Sequence, residues 1–389
     1  MPSPFREEHQ HFRKTVRQFA EKELAPFMEE WEEACLFPNQ VFKRAGELGI
    51  LGAHYPEEVG GGGGDYWFSV VKSEELPRCT GAGVVMGLLV QADMATPVIN
   101  DLGTKEQKEE FLTPAIRGEK VAALGVSEPN AGSDVAGIQT TAKKDGDDWI
   151  INGAKTYITN GTRADFVTLL AKTGPEQGAH GCSFFLVPTS TKGFSVSRKL
   201  KKVGNHSSDT AELAFENMRI PKRYLLGEEN QGFMYLMQNF QSERLIAATS
   251  ACAGAQFMID EAIAFGRDRK AFGKPIIKRE YWQHKFVELQ TKIEAARALA
   301  YKAVEEYNHE KYIAKTPIGF ETVKLISMAK VFVGDVCTEV ADQCMQFHGG
   351  AGYIEEYHIA RAWRDQRLFR IGGGTTEVMR YYIAKIMGL

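Results

Sequence analysis

An α+β fold in three regions is what the sequence predicts, on three observations. Apolar residues recur at helical spacing from residue 1 to about 120. Short alternating stretches divided by Gly, Asn, Asp and Pro fill residues 121–230, and long segments of helical period return beyond Gly232. The expected division is an N-terminal α-helical domain (1–120), a middle antiparallel β domain of barrel type (121–230) and a C-terminal α-helical bundle (231–389).

In the first region Phe12, Val16, Phe19 and Ala20 recur at three and four, and Pro26 and Pro38 punctuate the pattern. The glycines of EEVGGGGGD, 57–65, follow no strand and precede no GKS/T, so they read as a plain flexible connection rather than a phosphate cradle. The longest apolar run, Val84–Val90, is far short of the roughly 20 residues that span a bilayer and reads as buried helix. In the middle region TTAKK, DWIINGAKTYITNG, FVTLLAKT, CSFFLVPT, FSVSRKL and AELAFENMRI read as strands. The last region holds four helical segments, about 232–267, 281–309, 316–347 and 376–388, a length and count that suit an antiparallel four-helix bundle.

Composition narrows the function. Lys plus Arg number 47 against 50 Asp plus Glu, and no long basic tract occurs, which argues against nucleic-acid or membrane-surface binding and favours small-molecule chemistry. The six cysteines form no CxxC pair and the histidines no HExxH spacing, so neither a disulfide framework nor a structural metal is expected. The opening MPSPFREEHQHFRK is charged from its first turn and carries no apolar signal core; the reading is a cytoplasmic chain, or a mitochondrial-matrix one if a transit peptide has been trimmed.

Three stretches bear on chemistry. In GFMYLMQNFQSERLIAATSACAG, with Phe240 at the centre of a helix face, Phe233, Leu236, Met237, Ala247 and Ala251 fall within about 60° of it, and so do Glu243 and Arg244. Charges on an apolar face are costly unless paired or functional, so this is either a structural ion pair or a working carboxylate. The loop GVSEPNAGSDVAG, 125–137, is either plain surface loop or a set of N–H groups and hydroxyls for the dipoles and phosphates of a flat cofactor, with Tyr157 and Thr159 supplying a ring and a hydroxyl nearby. The third is RIGGGTTE, 370–377, whose consecutive glycines signal unusual backbone angles or a close approach.

GVSEPNAGSDVAG and QFHGGAGYIEEYHIARAWRD (346–365), with KTYITNG, RKLKKVGNHSSDTAEL, RDRKAFGKP and IGGGTTEV in the same order, resemble the acyl-CoA dehydrogenase family over essentially the full chain. The resemblance implies that family's three-domain fold, a homotetramer built as a dimer of dimers, and one non-covalent FAD per subunit. It also implies α,β-dehydrogenation of an acyl-CoA to the trans-2-enoyl-CoA, with electrons passed to electron-transfer flavoprotein. By motif match, Val126, Ser127, Gly132 and Ser133 contact the flavin or its linker, and Tyr157 and Thr159 line its far face. Arg269, Phe272, Gln346 and Gly350 reach the FAD of a neighbouring subunit, while Thr375 and Glu377 approach the cofactor from the bundle end.

Many relatives carry a catalytic glutamate at the position of Gly373. A smaller branch, typified by isovaleryl-CoA and long-chain enzymes, has glycine or alanine there and an ERL motif that matches Glu243, Arg244 and Leu245. The resemblance therefore implies Glu243 as base and the Gly373 N–H as donor to the thioester oxygen. Arg244 either supports the CoA end of the pocket or balances Glu243. Ser133, Gly87, Gln91 and Gly372 are the other expected substrate contacts, with Gly87 and Ala92 leaving volume. The overall texture is similar to citronellyl-CoA and long-chain members, which points to a medium-to-long or methyl-branched chain. The alternatives are an oxidase or other flavoenzyme on the same fold, and a non-catalytic acyl-CoA-binding flavoprotein.

Overall fold

The computed structural model describes residues 4–174 and 180–389. Eight helices precede the sheet: α1 (Glu7–Gln18), α2 (Met28–Ala34), α3 (Gln40–Glu47), α4 (Tyr66–Glu75), α5 (Ala82–Leu89), α6 (Pro97–Leu102) and the short α7 (Lys105–Gln107) and α8 (Thr113–Ile116). α5 runs on through a wider-wound stretch, Val90–Ala95, toward α6. This 82–102 run is longer than the apolar core noted in the sequence; its length and hydropathy would suit a bilayer, yet 83% of its most apolar window is buried in protein.

The strands are β1 (Ala122–Gly125), β2 (Thr141–Asp145), β3 (Asp148–Thr159), β4 (Phe166–Lys172), β5 (Cys182–Pro188), β6 (Phe194–Lys199), β7 (Thr210–Pro221) and β8 (Leu225–Leu226). They pair in the order β6-β7-β3-β2-β4-β5-β8, with β1 beside β4. Three features depart from the expected antiparallel barrel. β1 pairs parallel with β4, β2 also meets β4 in parallel at Thr141 and Lys172, and the sheet path has two ends, β6 and β8. The reason for the first is topological: β1 pairs with β4 only after the β2–β3 hairpin has intervened, and alternation alone carries no sign of strand direction.

The last region holds α9 (Gly232–Asp268), α10 (Glu280–Asn308), α11 (Phe320–His348), α12 (His358–Asp365) and α13 (Thr376–Ile386). α12 lies inside the second signature stretch and was not anticipated as a helix. α11 starts only at Phe320 because Pro317 and Gly319 end the preceding loop.

Two cores organise the molecule, and neither respects the three regions. One joins Val16, Phe37 and Leu88 of the N-terminal helices to Leu245, Ile293 and Val340 of the bundle; the other joins Ile99, Phe111 and Ile116 to the sheet interior around Trp149 and Phe185. The first core fixes α9 in place: Tyr66 Oη on α4 donates to Ser242 O at 2.9 Å, and Ser73 and Thr249 share a hydroxyl hydrogen bond of 2.7 Å.

The five-glycine segment is a packed strap and not the flexible connection expected. The N–H groups of Gly61, Gly62, Gly63 and Gly64 donate to carbonyls of residues 52–56, and a Cβ at Gly61 would lie 2.2 Å from Tyr55 O. The glycines are there because two backbones touch.

Candidate active site

The charged pair of the α9 stripe faces the glycine turn. Gly373 and Gly374 have φ of +67° and +105°, a pair of left-handed conformations that glycine reaches without strain. A Cβ built on Gly373 would come 3.4 Å from Glu243 Oε1, with Arg244 Cγ next at 3.9 Å. A Cβ at 373 would therefore just touch the carboxylate of α9, and it is a longer side chain there that would enter the space in front of it. Glu243 is half-buried; desolvation raises its pKa, and the charges of Arg244 and Lys330 oppose that rise.

Arg244 is buried and donates from Nε to Gly373 O at 3.1 Å. Its guanidinium is held at the turn and over the Phe240 ring, 5.6 Å from the centroid. Burial lowers its pKa, with Glu243 acting in the opposite sense. Lys330 on α11, which the sequence reading missed, donates to Gly374 O. Burial and the Arg244 charge lower its pKa to about 8. The Gly372 N–H is committed to Leu368 O at 2.8 Å.

The helix from Ala82 to Ala95 is a rail that holds both α9 and the sheet. From α9, Asn239 Nδ2 donates to Met94 O at 2.9 Å and Ser242 Oγ to Asp93 O at 3.1 Å; from the end of β3, Asn160 Nδ2 donates to Gly87 O at 3.0 Å. Two expected substrate residues on this rail prove structural. A Cβ at Gly87 would strike the Phe37 ring at 2.7 Å, so the missing side chain admits that ring and not an acyl chain. Gln91 is fully buried: Nε2 donates to Ala115 O (2.9 Å) and Lys120 O (2.7 Å), and Oε1 accepts from Ala122 N (2.7 Å). It ties the helical region to β1.

Asp93 is equally buried and pairs with Lys72 at 2.8 Å, with Ser69 Oγ donating to it at 2.8 Å. It lies on the wall of a cavity of about 570 Å³ that Tyr55, Tyr66, Ser242, Tyr307 and Tyr312 also line.

The loop 126–137 is clamped from behind. Lys155 Nζ, fully buried on β3, donates to Val126 O at 2.9 Å and to Glu128 at 2.8 Å, while the Glu128 carboxylate also accepts from Gln139 N (2.5 Å) and Thr140 N (3.0 Å). Thr156 N donates to Ser127 O at 2.9 Å, which sets the loop along β3. Gly132 and Ser133 stand exposed, and a Cβ at Gly132 would meet nothing within 4 Å.

The β3–β7 register breaks between Lys155 and Ile158, and in that bulge Tyr157 takes a φ of +61° and is 71% exposed. A non-glycine residue in that conformation, with its ring outward beside an anchored loop, is a ready platform for a flat aromatic group. Thr159 follows on the same strand, half-buried and paired with Thr210.

Of the remaining expected cofactor contacts, Thr375 and Glu377 directly follow the glycine turn, while Arg269, Phe272, Gln346 and Gly350 are not gathered here. Arg269 and Phe272 follow the end of α9, 25 residues or about 37 Å along the helix from Glu243. Phe272 is 96% exposed, with the Arg279 guanidinium 5.5 Å from its ring centroid. Gln346 and Gly350 are exposed at the end of α11, which packs against this same end of α9: Phe265 stacks on His348 at 4.3 Å. Thr375 caps α13, its hydroxyl accepting from Val378 N at 3.3 Å, and Glu377 is exposed in that helix's first turn.

Comparison with known proteins agrees with this arrangement. Three family models match the chain in succession: acyl-CoA dehydrogenase N-terminal domain (residues 6–119), middle domain (123–218) and C-terminal domain (230–388). The rat mitochondrial long-chain specific acyl-CoA dehydrogenase is 41% identical over 385 residues, 98% of this chain and 86% of that protein. The crystal structure of acyl-CoA dehydrogenase from Geobacillus kaustophilus superposes with a TM-score of 0.94 at 40% identity, covering both chains completely. A glutaryl-CoA dehydrogenase from Mycobacterium smegmatis, in complex with FADH2, gives a TM-score of 0.89 at 28% identity over 98% of this chain and 95% of that one. This chain belongs to the acyl-CoA dehydrogenase family of FAD-dependent oxidoreductases.

Proposed function

We propose that the chain oxidises the Cα–Cβ bond of an acyl-CoA thioester to the trans-2-enoyl-CoA, with Glu243 taking the α-proton. The observation that carries this reading is the half-buried Glu243 carboxylate facing a turn whose Gly373 leaves the space in front of it unfilled. Burial raises the pKa of the carboxylate and makes it a better proton acceptor, while the charges of Arg244 and Lys330 oppose that rise. As Cα–H breaks, its proton passes to Glu243 and negative charge moves toward the thioester oxygen. The Gly373 N–H is the donor assigned to that oxygen, and a fixed donor of this kind stabilises the developing charge.

FAD, when bound, accepts the β-hydrogen as a hydride, completing the two-electron oxidation. The residues present fit that cofactor: the outward Tyr157 ring suits a flat ring system, and the clamped 126–133 loop offers backbone and the Ser127 and Ser133 hydroxyls to its polar edge and linker. Arg269, Phe272, Gln346 and Gly350 lie too far along α9 and α11 to serve the site of their own subunit, which supports their contributing to a neighbour's FAD in a homotetramer. The substrate reading is a medium-to-long or methyl-branched acyl chain, supported by the likeness to a long-chain enzyme and by the ERL placement of the base. Electron-transfer flavoprotein is the proposed acceptor.

The test is anaerobic mixing of FAD-loaded protein with acyl-CoAs from butyryl to palmitoyl, including isovaleryl and citronellyl, following loss of oxidised-flavin absorbance. Rapid bleaching by medium-to-long or methyl-branched members supports the reading. Binding without bleaching by any of them overturns it in favour of a non-catalytic flavoprotein.

A further inference from the structure

We propose that Lys330 is a positioning residue of this site: its ammonium tethers the glycine turn through the Gly374 carbonyl and, with Arg244, places positive charge on the side of the turn that faces Glu243. The inference rests on Glu243 being the base.

Lys330 is 2% exposed. Buried lysines are costly unless paired, and the two others fully enclosed among the described residues follow the rule: Lys72 sits on Asp93 and Lys155 on Glu128, each at 2.8 Å. Among the described residues no ion pair includes Lys330; its ammonium donates instead to a neutral main-chain oxygen, Gly374 O. The charged groups that act on it are Arg244, Glu243, Asp335 and Glu377. Asp335 is already engaged by Arg370 at 3.0 Å and Arg380 at 2.9 Å, and Glu377 is exposed, which leaves the half-buried Glu243 as the negative charge that acts on both Lys330 and Arg244.

The two cations also divide the turn between them. Arg244 holds Gly373 O and Lys330 holds Gly374 O, consecutive carbonyls of the two residues with left-handed φ. Glycines impose no such geometry by themselves, since they enter many conformations equally well. A donor on each carbonyl, one from α9 and one from α11, selects the form in which residue 373 leaves Glu243 its space. Burial pushes Lys330 down to about 8, so it is still a cation at neutral pH.

The test compares FAD-loaded Lys330→Met and Lys330→Arg with wild type by two readouts. The first is the pH midpoint of the Glu243 carboxyl by infrared difference spectroscopy, using Glu243→Gln as the blank. The second is the acid limb of flavin bleaching by a saturating acyl-CoA. Loss of a cation beside a carboxylate disfavours the ionised form, so Lys330→Met moves both upward by about one pH unit, while Lys330→Arg leaves both near the wild-type position. Equal midpoints in the neutral and charged variants overturn the inference, because a purely structural lysine has no reason to move the titration of Glu243. Should Lys330→Met not accumulate as holoprotein, Lys330→Gln replaces it in the same comparison. Glu243→Gln separates the two claims: normal bleaching in that variant removes the base assignment itself, whereas an inactive Glu243→Gln with unshifted Lys330 variants removes the role of Lys330 alone.

Discussion

Glu243 and residue 373 face each other at contact distance: the Cβ that Gly373 lacks would sit 3.4 Å from Glu243 Oε1, so a longer side chain at 373 would project into the space the carboxylate borders. A carboxylate from either chain position therefore reaches the same region, and the turn can carry a base or make way for one. The first prediction is that Glu243→Gly/Gly373→Glu regains part of the bleaching activity that Glu243→Gly loses. Its stability falls by about 1–2 kcal/mol, because a side chain is strained at the +67° φ of residue 373. Single-turnover bleaching and thermal unfolding measure the two effects; a folded, FAD-loaded double variant no better than Glu243→Gly contradicts the shared position.

Gln91 separates packing from specificity. Gln91→Leu leaves two carbonyls and one N–H unpaired in the interior, at a cost of about 3 kcal/mol or more. The denaturation midpoint should drop while the relative rates across an acyl-CoA panel stay the same. A changed order of chain-length preference would return Gln91 to the substrate.

Lys155 and Glu128 form the buried pair behind the 126–137 loop. Lys155→Met strands a buried carboxylate and costs about 3–5 kcal/mol, and it frees the Val126 carbonyl, so retention of FAD through gel filtration falls as well. Adding Glu128→Gln recovers much of the stability. Recovery of FAD retention is smaller, since the Val126 tether is still missing. Full independence of the two substitutions in a double-mutant cycle would contradict the pairing.

Asp365 gives a pH dependence with a definite sign. Burial raises its pKa to about 6 from an ordinary value near 4, although Asn205 N donates to it at 2.6 Å. The folded state therefore holds a proton that the unfolded state has released. The resulting stabilisation is complete below about pH 4 and is lost as pH rises through about 6, at up to about 1.4 kcal/mol per pH unit in between. Asp365→Asn removes this contribution, so the difference in unfolding free energy between variant and wild type must change across pH 4–6. A constant difference over that window contradicts the raised pKa.

What the sequence made legible follows from what periodicity reports. Glu243 and Arg244 stood out because a helix face defined by apolar neighbours does not tolerate charge without a reason. The glycine turn stood out because its composition is costly. Lys330 obeys the same logic as Glu243: it shares a face of α11 with Ile326, Val333 and Cys337, which lie four, three and seven residues from it, and that face is buried. The signal was present but unused. Lys155 was harder to find, because the bulge after it breaks the strand alternation that marks inward positions. Gln91 and Gly87 were misjudged for a different reason: a polar residue or a glycine on an apolar helix shows that something unusual faces it, and only the fold shows that the neighbours are the Ala115, Lys120 and Ala122 backbone and the Phe37 ring. Nor does a strand pattern encode the parallel pairing of β1, whose partner lies beyond an intervening hairpin.

Whether Glu243 is the base is decided by Glu243→Gln. The measurement is the single-turnover rate of anaerobic flavin bleaching by the best acyl-CoA of the panel, with FAD content and acyl-CoA binding determined on the same preparation. The variant should hold FAD and bind acyl-CoA while bleaching several orders of magnitude more slowly, since removal of the α-proton gates hydride departure. Bleaching at a rate near that of the wild type would contradict the assignment.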